Sequence, residues 1–382
     1  MQINIFGGGI NGIFSAYWLL KKGYQVNLIE KEADIAKKSS YQNGCQLSFS
    51  HIYSIAEIKI IKSLLLGKII SGPTDIKFSE LIKNNQIYLN YLRDKKENRS
   101  LEFLYKLASD SEKIFTELSK NKNFNLKNSG SLQIFRSKKS FIKAEKFCSK
   151  RSDSKIISKE ELANFSISDS GIYKGIYFKG DMRADCRKFS LSLISELKKN
   201  PHFKLYKNCK IINLNQGKNK IEKIITNKKD FSGKFVITSG AYLTDFNLLL
   251  KTKLPFFAVK GYSANCNNIK ISSNIIDHDK KMVYTNLGNH SRIAGLYDLH
   301  GLDLSTQEKR INLFKANIEN LFPKQKIELE SIWAGVRCFS SNKYPNISKS
   351  LNIDNLYFNS GHANLGWTLS AASGKYLAEI IT

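Results

Sequence analysis

The chain opens with a short apolar run, Ile3, Ile5 and Phe6, followed at once by three glycines. From Ile10 to Lys22 the apolar residues take helical spacing, and Gly23 stands where a helix end favours a left-handed residue. Val26, Leu28 and Ile29 form a second apolar run that stops at Glu30. The pattern predicts strand, tight turn, helix and strand, one βαβ half of a dinucleotide-binding fold. Ser39 to Ser50 is polar and irregular and reads as a loop. Ile52 to Ile70 keeps a helical period with Lys59, Lys62 and Lys68 among its apolar residues. That pattern suits a helix over the site, or one lying on a membrane surface with its lysines toward anionic lipid.

Residues 76–120 read as helical and Gly130 to Phe135 as a strand, while a Lys/Ser-rich stretch near 137–160 reads as a surface connection. A strand, a helix over Phe189 to Lys199 and several further strands fill 173–240. Alternation typical of strands dominates 254–296, and 307–321 is helical. The last 50 residues return to strand, glycine turn and helix. The chain is expected to leave its nucleotide unit and come back to it. The expected division is 1–85, 150–250 and 335–382 for that unit, against 86–149 and 251–334 for a second, α+β unit on a mainly antiparallel sheet.

At 382 residues the chain can build two sizeable cores. Its net charge of +27 comes from 51 Lys and only nine Arg, spread over every segment. Nucleic-acid surfaces concentrate Arg in a patch, so no nucleic-acid partner is expected. The six cysteines show no C-x-x-C pair and no histidine at metal-ligand spacing. With a strand at its start and no signal-like run, the chain is expected in the cytoplasm, at most peripheral to the inner face of a membrane.

Gly7-Gly8-Gly9-Ile10-Asn11-Gly12 fits G-x-G-x-x-G in the right setting, with a strand before it, a helix after it and an acid at the end of the next strand. Gly7 permits the tight turn, Gly9 lets a pyrophosphate approach, and Gly12 lets helix and strand pack closely. Ile10 and Asn11 open the helix whose N-terminus attracts phosphate. Glu30, 18 residues past Gly12, can accept both ribose hydroxyls and would repel a 2′-phosphate. The fingerprint leaves FAD and NAD open. The segment from Leu356 to Thr368 favours FAD, because a second helix N-terminus after a glycine turn can stabilise negative charge on a reduced flavin.

Several further segments carry a resemblance: Asn43-Gly44-Cys45-Gln46-Leu47-Ser48, Gly130 to Arg136, Val259-Lys260-Gly261-Tyr262-Ser263, Trp333-Ala334-Gly335-Val336-Arg337, and Gly361-His362 through Leu365-Gly366-Trp367-Thr368. Along nearly its whole length the sequence resembles the FAD-dependent D-amino acid oxidase superfamily, most closely the bacterial D-amino acid dehydrogenase small-subunit branch. The resemblance implies an α/β fold with a Rossmann-type FAD-binding domain and a substrate domain, FAD as cofactor, and oxidation of a small amino acid's C–N bond to the imine or oxo acid. It implies that Arg337 binds the substrate carboxylate. Tyr262 and Tyr284 are candidates to close the pocket or, equally, core aromatics. Asn43, Gln46, Gly361, His362, Leu365, Gly366, Trp367 and Thr368 join Gly7, Gly9, Ile10, Asn11, Gly12 and Glu30 as cofactor-binding residues. No metal is expected.

The chain departs from the pattern after Arg337, where Cys338-Phe339-Ser340-Ser341-Asn342-Lys343 replaces a Pro-Met-Thr-Pro-Asp-Gly-like run. That change leaves room for other substrates, such as glycine or sarcosine, an amino sugar or a tRNA base. A basic nucleotide-binding protein acting on RNA is the alternative from a different class. Oxygen, a quinone and a carrier protein are all open as electron acceptor.

Overall fold

The computed structural model describes residues 1–52, 72–93, 97–148, 151–169, 171–243, 246, 249–250, 254–269 and 271–381. The helical period expected over 52–70, with its membrane-surface alternative, lies outside these residues apart from Ile52.

The opening pattern folds as expected. Strands Gln2–Phe6 and Gln25–Ile29 flank helix Ile10–Lys21, and Gly23 takes φ +81° at its end. They belong to a six-stranded sheet in the order Phe203–Tyr206, Gln25–Ile29, Gln2–Phe6, Lys234–Ile237, Leu356–Ser360, Asn346–Lys349. All neighbours run parallel except the last pair. Both faces of the central strands are covered, and the two polar residues buried in them meet each other, Asn27 Nδ2 donating to Asn4 Oδ1 at 2.8 Å. Ile3, Ile5, Val26 and Leu28 join a core with helices Ile10–Lys21, Cys186–Leu197 and Gly366–Ile380. Phe6, Ile29, Phe235 and Ile237 pack instead against the antiparallel meander Ile211–Gln216, Ile221–Thr226, Asp230–Phe231.

A nine-stranded sheet forms the second body, in the order Leu329–Ser340, Phe256–Cys266, Ser291–Leu299, Met282–Asn286, Asn274–Asp277, Ser131–Phe135, Lys174–Phe178, Ser154–Ile157, with Thr74–Ile76 on Ser291–Leu299. It is mainly antiparallel, as expected; the exceptions are the pairings of Asn274–Asp277 with Ser131–Phe135 and of Thr74–Ile76 with Ser291–Leu299. Helix Glu308–Leu321 buries Phe314, Ile318 and Leu321 against it.

Two expectations need correction. The stretch near 137–160 is not mere surface: helix Lys138–Cys148 buries Phe141, Ala144 and Cys148 beside Phe135 and Phe178, and Ser154–Ile157 is a strand. The three-then-four spacing of those residues was a helical face masked by the surrounding lysines. The expected division put 150–250 with the nucleotide unit, yet Ser154–Ile157 and Lys174–Phe178 hydrogen-bond into the large sheet through Ser131–Phe135. Strand Leu329–Ser340 likewise runs across the expected boundary at 335.

Candidate active site

A cavity of about 930 Å³ runs from the C-terminal ends of the parallel strands, at Phe6, Ile29 and Thr238, to the large sheet at Tyr262, Gly295 and Arg337. Parallel α/β sheets place their ligands at that end because helix N-termini and glycine turns meet there. Helix Ile10–Lys21 and helix Gly366–Ile380 both start on the cavity wall. They are tied together by Trp18 Nε1 donating to the Ala371 carbonyl at 2.9 Å, and by Gly374, where a Cβ would lie 2.6 Å from the Phe14 backbone. The positive ends of two helix dipoles thus point into one space.

The three fingerprint glycines are glycine for different reasons. Gly7 takes φ +121°, with Thr238 backbone atoms 2.8 Å from where a Cβ would sit. A Cβ on Gly12 would lie 2.0 Å from the Gly7 carbonyl oxygen, so Gly12 sets the helix–strand approach and is not part of the cavity wall. Gly9 meets only Ser40 Oγ, at 3.5 Å; its open side faces the cavity, as a pyrophosphate cradle requires. Asn11 Oδ1 is buried and finds no donor among the described residues. Glu30 accepts from Gly8 N at 2.7 Å and Glu32 N at 2.9 Å, and burial raises its carboxyl above the usual range against those two bonds. A free open side at Gly9, an orphaned acceptor at Asn11 and a carboxylate at Glu30 fit FAD.

The polar loop Ser39 to Ser50 starts exposed at Ser39 and is buried from Cys45 to Ser50, and it is hydrogen-bonded to both bodies. Ser40 Oγ accepts from Ile10 N at 3.1 Å, Ser48 N donates to Thr368 Oγ1 at 3.2 Å, and Gly44 O accepts from Thr285 Oγ1 at 2.7 Å. Gln46 lines the cavity but its Nε2 donates to the carbonyls of Tyr284 and Ile275, at 2.9 and 3.2 Å. Asn43 Oδ1 accepts from Cys45 N at 3.0 Å. Both side chains hold the loop in shape, leaving its backbone to face a ligand.

Arg337 lies in a flat slot. Strand Leu329–Ser340 pairs with Phe256–Cys266, and its guanidinium crosses over Gly261, where a Cβ would lie 2.3 Å from Nη2. Tyr297 covers the other face, its ring centroid 4.4 Å from Cζ. Nη1 donates to the carbonyls of Leu296 at 2.9 Å and Lys260 at 3.4 Å, and Nη2 to Gly295 at 3.5 Å. Leu296 has φ +59° in a bulge of its strand, which brings its carbonyl to the arginine. The acceptors are all neutral, and among the described residues no carboxylate pairs with Arg337. A structural arginine tied to a buried acid is therefore not what is seen.

Of the two candidate tyrosines, Tyr262 lines the cavity. Tyr284 does not. It is fully buried in the core of the large sheet, edge-on to Phe322 at 5.6 Å, with its hydroxyl 3.4 Å from the Asn317 carbonyl. The strand alternation that predicts its strand also sends it inward, away from the cavity. Tyr284→Phe is expected to keep kcat/KM within about twofold and to cost about 1 kcal/mol or less in urea unfolding.

Gly361, with φ +84°, turns the chain from strand Leu356–Ser360 toward the last helix, and Gly361, His362, Leu365, Gly366, Trp367 and Thr368 all line the cavity. Trp367 also closes the core, with Phe189 at 4.9 Å and Phe115 at 5.0 Å. His362 is buried, with Nε2 2.9 Å from Ser373 Oγ, and burial lowers its pKa from 6.5 to about 3. The folded protein therefore holds it neutral. As pH falls below 6.5 the unfolded chain takes up a proton that the folded one refuses, so stability drops, by up to about 1.4 kcal/mol per pH unit, until pH nears 3. Urea titrations of His362→Asn between pH 7.5 and 5 are expected to show a shallower acid loss than the unaltered protein; equal slopes would contradict the neutral assignment.

Cys338 also lines the cavity; it is a free thiol that burial pushes up to about 12. All six cysteines are free and buried. No described helix is long and apolar enough to cross a membrane. Sequence reasoning missed Tyr297, Ser40 and Thr238, which reach the site by strand register and loop packing and carry no local motif.

The family model described as "DAO: FAD dependent oxidoreductase" matches residues 2–380. The chain is 27% identical to a D-amino acid dehydrogenase of Vibrio atlanticus and 26% to one of Neisseria meningitidis, in each case over the full chain and 96% of the relative. Among solved structures it resembles a glycine oxidase of Bacillus cereus (TM-score 0.76, 20% identity, covering 100% and 94% of the two chains). It also resembles an L-proline dehydrogenase of P. horikoshii (TM-score 0.78, 20% identity, 100% and 93%). The glycine cradle, the paired helix N-termini and the match from one end of the chain to the other lead to one conclusion: this protein belongs to the DAO family of FAD-dependent oxidoreductases.

Proposed function

We propose that the protein oxidises the C–N bond of a small amino acid of D configuration, giving an imine that water converts to an oxo acid and ammonia. The observation that carries this is Arg337, a flat cation with no acidic partner among the described residues, in the same cavity as Gly7 and Gly9. Its planar fork suits a carboxylate held bidentately, which would fix the orientation of the substrate's Cα. Tyr297 would keep the guanidinium flat and Tyr262 would close the pocket. Glu30 would accept the ribose hydroxyls, and Gly9, Ile10 and Asn11 would receive the pyrophosphate. The backbone from Gly361 to Thr368 would face the flavin's N1–C2=O edge, with Asn43 and Gln46 shaping the opposite wall. FAD, when bound, supplies the acceptor for the hydride leaving Cα. The D-amino acid dehydrogenase name of the full-length relatives supports the stereochemistry. The six-stranded body would serve as the nucleotide unit and the nine-stranded body as the substrate unit.

The test is an anaerobic visible spectrum of the FAD-loaded protein before and after a pool of D-amino acids is added. Bleaching of the flavin band is expected. A band that persists with D-amino acids but bleaches with L-isomers or N-methyl amines would overturn the substrate class. Mixing the reduced protein with oxygen, a short-chain quinone or a carrier protein then identifies the acceptor, and sedimentation with anionic vesicles tests surface association.

A further inference from the structure

Alternation along the paired strands Leu329–Ser340, Phe256–Cys266 and Ser291–Leu299 sorts the side chains around Arg337 by polarity. Val259 stands opposite Arg337, and two residues on Phe257 stands opposite Phe339. Strand Ser291–Leu299 adds Tyr297 and Leu299, and Leu299 is paired with Ile76. Phe257, Val259, Tyr297, Leu299 and Phe339 all line the cavity. The charged residues interleaved with them turn to the other face of the sheet. There Lys260 Nζ donates to the Ser305 carbonyl at 3.0 Å, Asp298 pairs with Arg310, and Asp75 Oδ2 lies 2.9 Å from His300 Nε2. Lys260, Asp298 and Asp75 are not on the cavity wall.

The apolar face is one packed surface. Phe257, Val259, Leu299 and Phe339 form a cluster with Ile87 and Tyr88 of helix Asn85–Arg93. Phe257 and Phe339 stack at 5.4 Å, and Tyr88 meets Phe257 edge-on at 5.1 Å. Tyr297, whose ring covers the arginine, lies edge-on to Phe339 at 6.5 Å. The cluster also reaches the C-terminal turn: Ala363 packs against it and lines the cavity, and Phe339 is bridged to His362. An apolar wall therefore runs from the arginine slot to the turn that would face the flavin, which is where the Cα of a substrate held by Arg337 would stand.

The acids of the cavity lie elsewhere. Glu30 and Glu32 follow strand Gln25–Ile29, at the nucleotide end. Asp277 and Asp279 are at strand Asn274–Asp277, two strands beyond Ser291–Leu299, and His51 and His278 share that end with ring centroids 5.9 Å apart. Two strand spacings are about 10 Å. Lys281 is level with Leu296, whose N–H its carbonyl accepts at 3.2 Å, whereas the apolar wall continues the other way along the strand, to Leu299.

We propose that the substrate is a D-amino acid with an apolar, leucine-sized side chain, its carboxylate on Arg337 and its side chain against Phe257, Val259, Leu299 and Phe339. This deepens the proposed function and rests on it.

The experiment uses the FAD-loaded protein and near-isosteric ligands that differ only in side-chain polarity. Isocaproate is leucine without its amine, succinamate is asparagine without its amine, and neither can be oxidised at a C–N bond next to its carboxylate. Each is titrated against the flavin absorbance spectrum, and anaerobic reduction by D-leucine is compared with reduction by D-asparagine. Isocaproate is expected to bind at least about tenfold more tightly than succinamate, because an apolar wall gives the amide nothing in return for its lost water. D-Leucine should exceed D-asparagine by a similar factor in kcat/KM. Val259→Thr keeps the shape of the wall and adds a hydroxyl beside the arginine, and it should shrink both ratios severalfold. Phe257→Leu opens the wall and should raise kcat/KM for D-phenylalanine relative to D-leucine severalfold. Equal binding of isocaproate and succinamate, or ratios that both variants leave intact, would overturn the inference. A preference for D-asparagine, or for an acidic or basic D-amino acid, over D-leucine would overturn it while leaving the proposed function standing. A flavin that no amino acid reduces would defeat the proposed function, and the inference with it.

Discussion

Arg337→Ala is expected to retain FAD and to lower kcat/KM for the reducing amino acid by about 10²- to 10³-fold. The estimate is the loss of a charge-assisted, two-point bond to a carboxylate, on the order of 3–4 kcal/mol, at about 1.4 kcal/mol per factor of ten. Arg337→Lys should recover only part of it, because an ammonium cannot fill a slot shaped for a plane. Gly261→Ala is expected to act in the same direction without touching the charge. Its Cβ would fall within 2.5 Å of Cζ and both terminal nitrogens, so the guanidinium must leave its place under Tyr297. Flavin absorbance at saturation reports cofactor retention, and anaerobic reduction at varied substrate concentration reports the rest. Unchanged turnover of every substrate by Arg337→Ala would remove Arg337 from the site.

The second large effect separates two glycines of one fingerprint. Gly12→Ala puts a methyl 2.0 Å from the Gly7 carbonyl oxygen and 2.7 Å from Thr238 Oγ1. The helix can make room only by lifting off the sheet, so a loss of roughly 3 kcal/mol or more in apoprotein stability is expected, with the cofactor lost as a consequence. Gly9→Ala has φ −78° and only an ordinary contact with Ser40 Oγ. Its apoprotein should unfold within about 1 kcal/mol of the unaltered chain, while FAD affinity falls roughly 10- to 100-fold because the methyl occupies the cradle. Urea unfolding without FAD and flavin titration of the apoprotein distinguish the two. If Gly9→Ala bound FAD normally, the pyrophosphate would not lie where the fingerprint puts it.

Much of the nucleotide body was legible because its signals are local. The change from strand to helical period at Gly7–Ile10, the φ +81° turn at Gly23 and the acid at Glu30 are consequences of a few neighbouring residues. The helix at Lys138–Cys148 was missed because three buried residues among lysines make a faint pattern. Tyr284 and Tyr262 look alike in sequence, both aromatics on alternating strands. Both are buried in the core of the large sheet, and only the tertiary packing brings Tyr262, and not Tyr284, to the cavity wall as well.

The sequence alone therefore determined the dinucleotide fingerprint, the parallel strands buried on both faces, the return of the C-terminus to the first body and, through its motifs, the family. These depend on backbone conformations and hydrophobic periods that a short window encodes. Tertiary structure decided the rest. Arg337 is flattened between Gly261 and Tyr297 by strand register and a bulge at Leu296, none of which a local pattern specifies. A run of hydrogen bonds from Asp181 through Ser50 and Gln133 to His51 joins residues up to 131 positions apart. Asp181 is fully buried where these segments meet, and burial is a property of the assembled sheets.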